Sequence, residues 1–206
     1  MQDGAEDVRR PWLVVGLGNP GERNALTPHN LGFLVADRLA DRHGIRIQRK
    51  QALALVGSGE IASVPVVLAK PQTYMNRSGR AVEALLEQES LGADRLVLIY
   101  DELSLPWKSL RIRSKGSAGG HHGVESVIDH IGTTAFARLR LGIHLGRPIE
   151  DGAEFVLAPF RKAQLQELAE VLDYAAGAVE VLLAEGVEKA MAKFNRRAQG
   201  PKKEEE

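Results

Sequence analysis

The sequence predicts an α/β fold: one domain, with a mixed, mostly parallel twisted sheet and helices on both of its faces. Three observations predict it. Short apolar runs alternate with longer segments of helical periodicity, the signature of strand–helix–strand units. Some neighbouring strand runs are close enough to form hairpins, which makes the sheet mixed rather than purely parallel. Polar clusters recur where strand runs end or in glycine-rich loops, and loops held at strand ends are where function usually sits. At 206 residues the chain can bury one sizeable core, and no linker or internal repeat divides it.

The first strand is Trp12–Val15, which runs into Gly16-Leu17-Gly18-Asn19-Pro20-Gly21. That turn spells the G-x-G-x-x-G of dinucleotide-binding units, but such a unit needs a helix opening on the turn and an acidic strand end about twenty residues on. Pro20 and Pro28 interrupt the stretch where the helix would run. The amphipathic pattern begins only near Asn30, with Leu31, Leu34, Val35 and Leu39 on one stripe, and it stops at Gly44. Asp37 and Asp41 then lie on a helix, so nicotinamide and flavin cofactors are not expected.

Further strands are expected at Leu53–Glu60, Val66–Lys70, Leu96–Tyr100, Leu110–Arg113 and Arg138–Ile143. Helices are expected at Asn30–His43, Ser78–Glu89, His122–Ile131, Ala163–Glu185 and Val187–Arg197. The Ala163–Glu185 segment has the clearest pattern, with Leu165, Leu168, Val171, Leu172, Ala175, Val179 and Leu182 in one stripe. Residues 1–10 are polar and 199–206 form a charged low-complexity run. Both are expected to be disordered around a single domain spanning 11–198.

Lys plus Arg and Asp plus Glu each total 27, so bulk charge says nothing for or against a polyanionic partner. The distribution is uneven. Leu105 to Pro148 carries Lys108, Arg111, Arg113, Lys115, Arg138, Arg140 and Arg147 against Glu125 and Asp129, and beyond Asp151 the balance reverses. Two readings stand: a basic face for a polyanion, or a solvated strand face. The chain has no cysteine, which excludes disulfides, thiol catalysis and thiolate metal sites. The N-terminal residues hold no apolar core of a signal peptide, and no apolar run approaches the roughly 18 residues of a membrane span. A soluble, cytoplasmic protein without membrane association is expected.

Four clusters could carry chemistry: Asn19 with His29; Lys70 to Gly79, containing Tyr74 and Asn76; Asp101 and Glu102 after the Leu96–Tyr100 strand; and Gly116 to Gly123, with His121 and His122. A histidine trades protons near neutral pH, and a carboxylate accepting its far N–H fixes the tautomer. His29 with Asp101 would make such a base, with asparagine amides to hold water and a carbonyl. The alternatives remain open here: His29 and Asn30 as a helix cap, and Asp101 as a structural strand end. No G-x-S-x-G elbow supports a serine hydrolase. Adjacent His121 and His122 point apart on regular structure, and no H-x-x-x-H or H-E-x-x-H pattern occurs, so no metal site is expected.

In this order the motifs resemble bacterial-type peptidyl-tRNA hydrolase. They are V-G-L-G-N-P-G (15–21), T-P-H-N-L-G (27–32), K-P-Q-T-Y-M-N-R-S-G (70–79), D-E-L-S-L-P (101–106), G-G-H-H-G (119–123), R-L-R-L-G-I (138–143) and E-F-V-L (154–157). The resemblance implies a monomeric enzyme, with no metal or organic cofactor and no obligate protein partner. It would cleave the ester between a peptide and the terminal ribose of peptidyl-tRNA. It implies His29 as general base, Asp101 as its support, Asn19 on the peptide, and Tyr74 and Asn76 along the site. Arg111, Arg113, Arg138 and Arg140 become candidates for phosphate contacts. Three positions depart from the family and put substrate binding in question: Asn24 stands for the common tyrosine, Pro28 for an arginine, and His122 for an asparagine. Some relatives of this family serve as RNA-binding splicing factors, and such a binding role is the alternative to an enzyme.

Overall fold

In the computed structural model, which describes residues 10–195, β1 (Trp12–Gly16) lies in the middle of a seven-stranded sheet. It pairs in parallel with β4 (Val64–Pro71) on one side and β5 (Leu96–Pro106) on the other. Beyond β4 lie β3 (Ala54–Ile61) and the short edge strand β2 (Arg49–Gln51), both antiparallel pairings. Beyond β5 lie β7 (Ala137–His144), parallel, and then β6 (Leu110–Arg113), antiparallel to β7, giving the order β2-β3-β4-β1-β5-β7-β6. The four parallel strands point the same way, so their carboxyl ends gather at one edge.

Among the described residues, five of the six α-helices cover the sheet. On one face lie α1 (Leu31–His43), α5 (Lys162–Glu185) and α6 (Val187–Phe194), over a core containing Val14, Leu31, Leu39, Ile99, Leu139 and Val179. On the other lie α2 (Ser78–Gln88) and α3 (His122–Ile131), over Leu13, Val15, Leu85, Leu98 and Val124. Alternate residues of each central strand therefore enter opposite cores, which is why those strands are apolar on both faces. The sixth, α4 (Gly152–Leu157), stands apart at the carboxyl edge and is capped by Asp151, whose Oδ1 accepts the N–H groups of Ala153 and Glu154.

Glycines place the first helix. A Cβ on Gly16 would lie 2.0 Å from the Gly32 carbonyl oxygen, and one on Gly32 2.3 Å from that of Ile99. The start of α1 thus docks directly onto the end of β1 and against β5, and the Phe33 N–H donates to the Leu17 carbonyl at 3.2 Å. Gly16, at the head of the glycine-rich turn, thus serves close packing of backbone on backbone. Gly44 ends α1 in the left-handed region at φ 65°, as the sequence indicates.

Three elements differ from expectation. β2 is read poorly from sequence because Arg49-Lys50-Gln51 has no buried face; it is a charged edge strand, a common guard against edge pairing. It joins β3 through Ala52 and Leu53, both at positive φ (48° and 61°), a turn without the usual glycine or asparagine signal. α4 spans only 6 residues, too few for a periodic stripe. β5 continues to Pro106, so Asp101 lies within the strand opposite Leu141 rather than after it. The terminal segments, except Arg10, and the expected end of the last helix at Arg197 fall outside the described residues.

Candidate active site

His29 sits in a 3-10 turn, Pro28–Asn30, between β1 and α1. Proline at the first position of that turn needs no N–H and arrives with its φ already set. Thr27, 1 % exposed, closes the preceding turn by donating its hydroxyl to the Asn24 carbonyl at 2.9 Å. The result aims the His29 ring at the neighbouring strand. Its Nδ1 lies 2.9 Å from Asp101 Oδ1 across 72 positions of sequence.

Asn30 follows at the cap position of α1 but makes no cap bond. Its amide instead clasps the backbone of Asn19: Nδ2 donates to the Asn19 carbonyl, and Oδ1 accepts the Asn19 N–H, each at 2.9 Å. The Asn19 side chain accepts the Met75 N–H on Oδ1 at 2.8 Å, which joins the β1 turn to the 3-10 turn Met75–Arg77. With Oδ1 so engaged, the Nδ2 donors of Asn19 remain for a ligand.

Asp101 is buried, and burial by itself would raise its pKa. Imidazole N–H groups, His121 foremost and then His29, outweigh that cost and hold the carboxyl well below the usual carboxylate range. Asp101 is therefore ionised throughout the neutral range, and the His29 proton resides on Nδ1, leaving Nε2 as a proton acceptor.

The sequence places His121 in the fourth cluster and sets it aside as a metal ligand, but gives no sign of a contact with Asp101. His121 caps α3, its Nδ1 accepting N–H groups from Gly123 at 3.1 Å and Val124 at 3.3 Å, while Nε2 meets Asp101 Oδ1 at 3.0 Å. Gly123 permits the approach, since a Cβ there would lie 2.4 Å from Met75 Sδ. The signal available in the sequence was a histidine directly before a helix start, in a position where a side-chain acceptor is wanted.

His29, Asp101 and His121 bring their ligand-type atoms within 4.8 Å of one another, the one such grouping of metal-binding residue types among the described residues. The hydrogen bonding does not suit a cation. For His121 to offer Nε2 as a lone pair, its proton would have to move to Nδ1, against two backbone N–H donors. That leaves too few ligands for a tight site.

These groups lie at a cleft of about 620 Å³ at the carboxyl edge. Asn19, Tyr74, Asn76 and His122 line it, and α4 adds Ala153, Val156 and Leu157 to its wall. Tyr74 is 72 % exposed, and exposed Leu103 and Leu157 make its rim partly apolar. His122 is exposed, with Nδ1 3.4 Å from Glu125. Asn24 is not part of this lining: its Nδ2 donates to the Pro20 carbonyl at 2.8 Å, within the same loop.

The four arginines of β6 and β7 lie on one sheet face, because Arg111 pairs with Arg140 and Arg113 with Arg138. Their surroundings differ. Arg111 and Arg113 are half-buried on the edge strand. Arg140 forms an ion pair with Glu102, whose carboxylate also accepts the Ser104 N–H and hydroxyl. Arg138 is 1 % exposed; it donates to the carbonyls of Ser117 and Thr134 and lies over the Phe136 ring. This burial takes Arg138 out of reach of a phosphate and makes it a strut beneath the Gly116–Gly123 loop.

Fold and cleft together are those of an α/β enzyme with its site at the carboxyl edge of a mostly parallel sheet. Residues 13–204 match the family model described as peptidyl-tRNA hydrolase. A peptidyl-tRNA hydrolase of Solibacter usitatus is 57 % identical over 194 residues, covering 94 % of this chain and 99 % of the relative. One from Koribacter versatilis is 50 % identical, covering 92 % of this chain and 94 % of its own length. Among solved structures, the Arg119Gln mutant of the Acinetobacter baumannii peptidyl-tRNA hydrolase superposes with a TM-score of 0.83 at 34 % identity. It covers 90 % of this chain and 95 % of that one. The chain belongs to the peptidyl-tRNA hydrolase family, and it is a hydrolase of that class. No helix among the described residues is long and apolar enough to cross a membrane.

Proposed function

We propose that the chain hydrolyses the ester between the peptide and the 3′-terminal ribose of peptidyl-tRNA, using water activated by the His29–Asp101 pair. The observation that carries this is the 2.9 Å contact of His29 with an ionised, buried Asp101 at a cleft that Asn19 also lines. His29 Nε2 takes a proton from water, and the hydroxide adds to the ester carbonyl carbon. The tetrahedral intermediate then expels the ribose oxygen, which takes the proton back from the imidazolium. The products are tRNA with a free ribose hydroxyl and a peptide carboxylic acid, which loses its remaining proton to solvent. Asp101 holds the tautomer and balances the transient positive charge.

Asn19 offers its Nδ2 donors to the peptide carbonyl of the substrate, a group an unblocked aminoacyl ester lacks. Tyr74, Asn76 and His122 meet the tRNA end around the cleft mouth, and Arg111, Arg113 and Arg140 take phosphates, which position without reading sequence. Asn24 acts indirectly, by shaping the loop that carries Asn19. The enzyme works as a monomer in the cytoplasm, without a cofactor.

The test is cleavage of peptidyl-tRNA by His29→Ala, with binding of uncharged tRNA measured in parallel. A loss of about 10²–10⁴-fold in rate with binding retained is expected. Retention of more than about a tenth of the rate overturns the base assignment. Tight tRNA binding by a natural protein that cleaves nothing makes the chain an RNA-binding module instead.

A further inference from the structure

Two imidazoles share one carboxylate oxygen in this site. His29 Nδ1 and His121 Nε2 lie 2.9 and 3.0 Å from Asp101 Oδ1, and their rings are 4.9 Å apart. They are not equivalent. The start of α3 aims two N–H donors at His121 Nδ1, so that nitrogen must present its lone pair, and the only ring proton is on Nε2. The His121 side chain is 8 % exposed and has no free nitrogen with which to accept a proton from water. His29 keeps a free Nε2.

We propose that His121 is a positioning residue that acts through Asp101, its N–H occupying part of the carboxylate so that Asp101 orients His29 without over-stabilising its protonated form. The inference rests on the reading of His29 as the base. A carboxylate that already accepts one strong N–H bond has less negative charge to offer a second donor. Without His121, more of that charge bears on His29, the imidazolium is more stable, and the base stays protonated to higher pH.

Among the described residues, no other group near the pair supplies this donor. Tyr100 meets His121 edge-on, with ring centroids 5.0 Å apart, and its surroundings include Arg138. Next along β5, Glu102 is engaged by Arg140. On α3, His122 stands beside Glu125, both exposed. From the β4–α2 side, Arg77 and Tyr74 are exposed at the cleft, and the residues that α4 contributes to it are uncharged.

His121→Asn separates the cap from the donor. Asparagine Oδ1 stands one bond beyond Cγ, as histidine Nδ1 does, and is a preferred cap acceptor. Its amide nitrogen stops one atom short of the Nε2 position, so the bond to Asp101 is lost. The experiment measures the pH dependence of kcat for peptidyl-tRNA cleavage in the natural protein and His121→Asn, with the His29 ring followed by NMR in both. The expected result is a melting temperature close to that of the natural protein and an acid limb moved up by about 0.5–1 pH unit, with the His29 resonances moving likewise. The high-pH rate and KM should change little. Superimposable acid limbs, a limb moved to lower pH, or a change confined to KM would each overturn the proposal. Failure of the base reading is distinguishable, because it shows as activity retained by His29→Ala whatever His121→Asn does.

Discussion

The Asn30 amide grips the backbone of Asn19 from both sides, donating to its carbonyl and accepting from its N–H at 2.9 Å each. The glycine-rich turn is thereby locked to the start of α1, the same junction that carries His29. Asn30→Ala removes both bonds and leaves two part-buried backbone groups unpaired, a cost of about 1–3 kcal/mol. Chemical denaturation should show that loss together with a fall in cleavage rate, since both Asn19 and His29 become less fixed. Full stability and full activity in Asn30→Ala would mean that the clasp is idle.

Asn19 itself should govern discrimination rather than the rate alone. In the proposed reaction its Nδ2 donors would meet a peptide group present only in the acylated substrate, and a site built for a hydrogen bond penalises a ligand without the partner. Asn19→Ala should therefore lose far more activity on peptidyl-tRNA than on unblocked aminoacyl-tRNA. Equal losses on both substrates count against a peptide contact and leave Asn19 as a brace for Met75.

Asp101 links the site to acid stability. Its carboxyl is depressed in the folded state, so its contribution is fully present above the unfolded value of about 4 and is lost as pH falls from there toward the folded value. The stability gap between the natural protein and Asp101→Asn should therefore narrow as pH is lowered from 5 to 2. A denaturation series across that range checks it; a constant gap would show that the carboxylate's charge is not what the fold uses. Turnover of Asp101→Asn should fall, but less than that of His29→Ala, because the imidazole remains.

The arginines should divide into two kinds. Arg111→Ala with Arg113→Ala should weaken tRNA binding and flatten its salt dependence, because each phosphate contact releases counterions, while the melting temperature stays nearly unchanged. Arg138→Ala should instead cost about 2–4 kcal/mol of stability, since it removes the guanidinium's hydrogen bonds to the Ser117 and Thr134 carbonyls and empties a packed site. A salt slope unchanged in the Arg111, Arg113 double variant would move the tRNA face elsewhere.

Much of the fold was open to inspection in the chain. The β1 run into Gly16, the stripe of α1 stopping at Gly44, and the long stripe of α5 all follow from local periodicity and from glycine, and the structure has them within a residue or two. Two proline interruptions were enough to separate Gly16–Gly21 from a dinucleotide loop, because a helix could not open there. Local rules failed where the deciding interaction was distant or the element short: the polar edge strand β2, six-residue α4, and the extension of β5 past Asp101 along β7.

At the site, the residue types and their order belong to the sequence: a histidine after a glycine-rich turn, a carboxylate on an apolar strand, amides in the loops. Which of them meet was decided by tertiary structure. The His29–Asp101 contact spans 72 positions and exists only because β1 and β5 are neighbours in the sheet. His121, not adjacent His122, reaches Asp101 because the start of α3 turns one ring inward as a cap and leaves the other in solvent. Arginines alike in sequence part company for the same reason, Arg138 under a loop, Arg140 on Glu102, and Arg111 and Arg113 on an edge strand. Periodicity records which face a residue takes, whereas burial and partners depend on what the rest of the chain lays over that face.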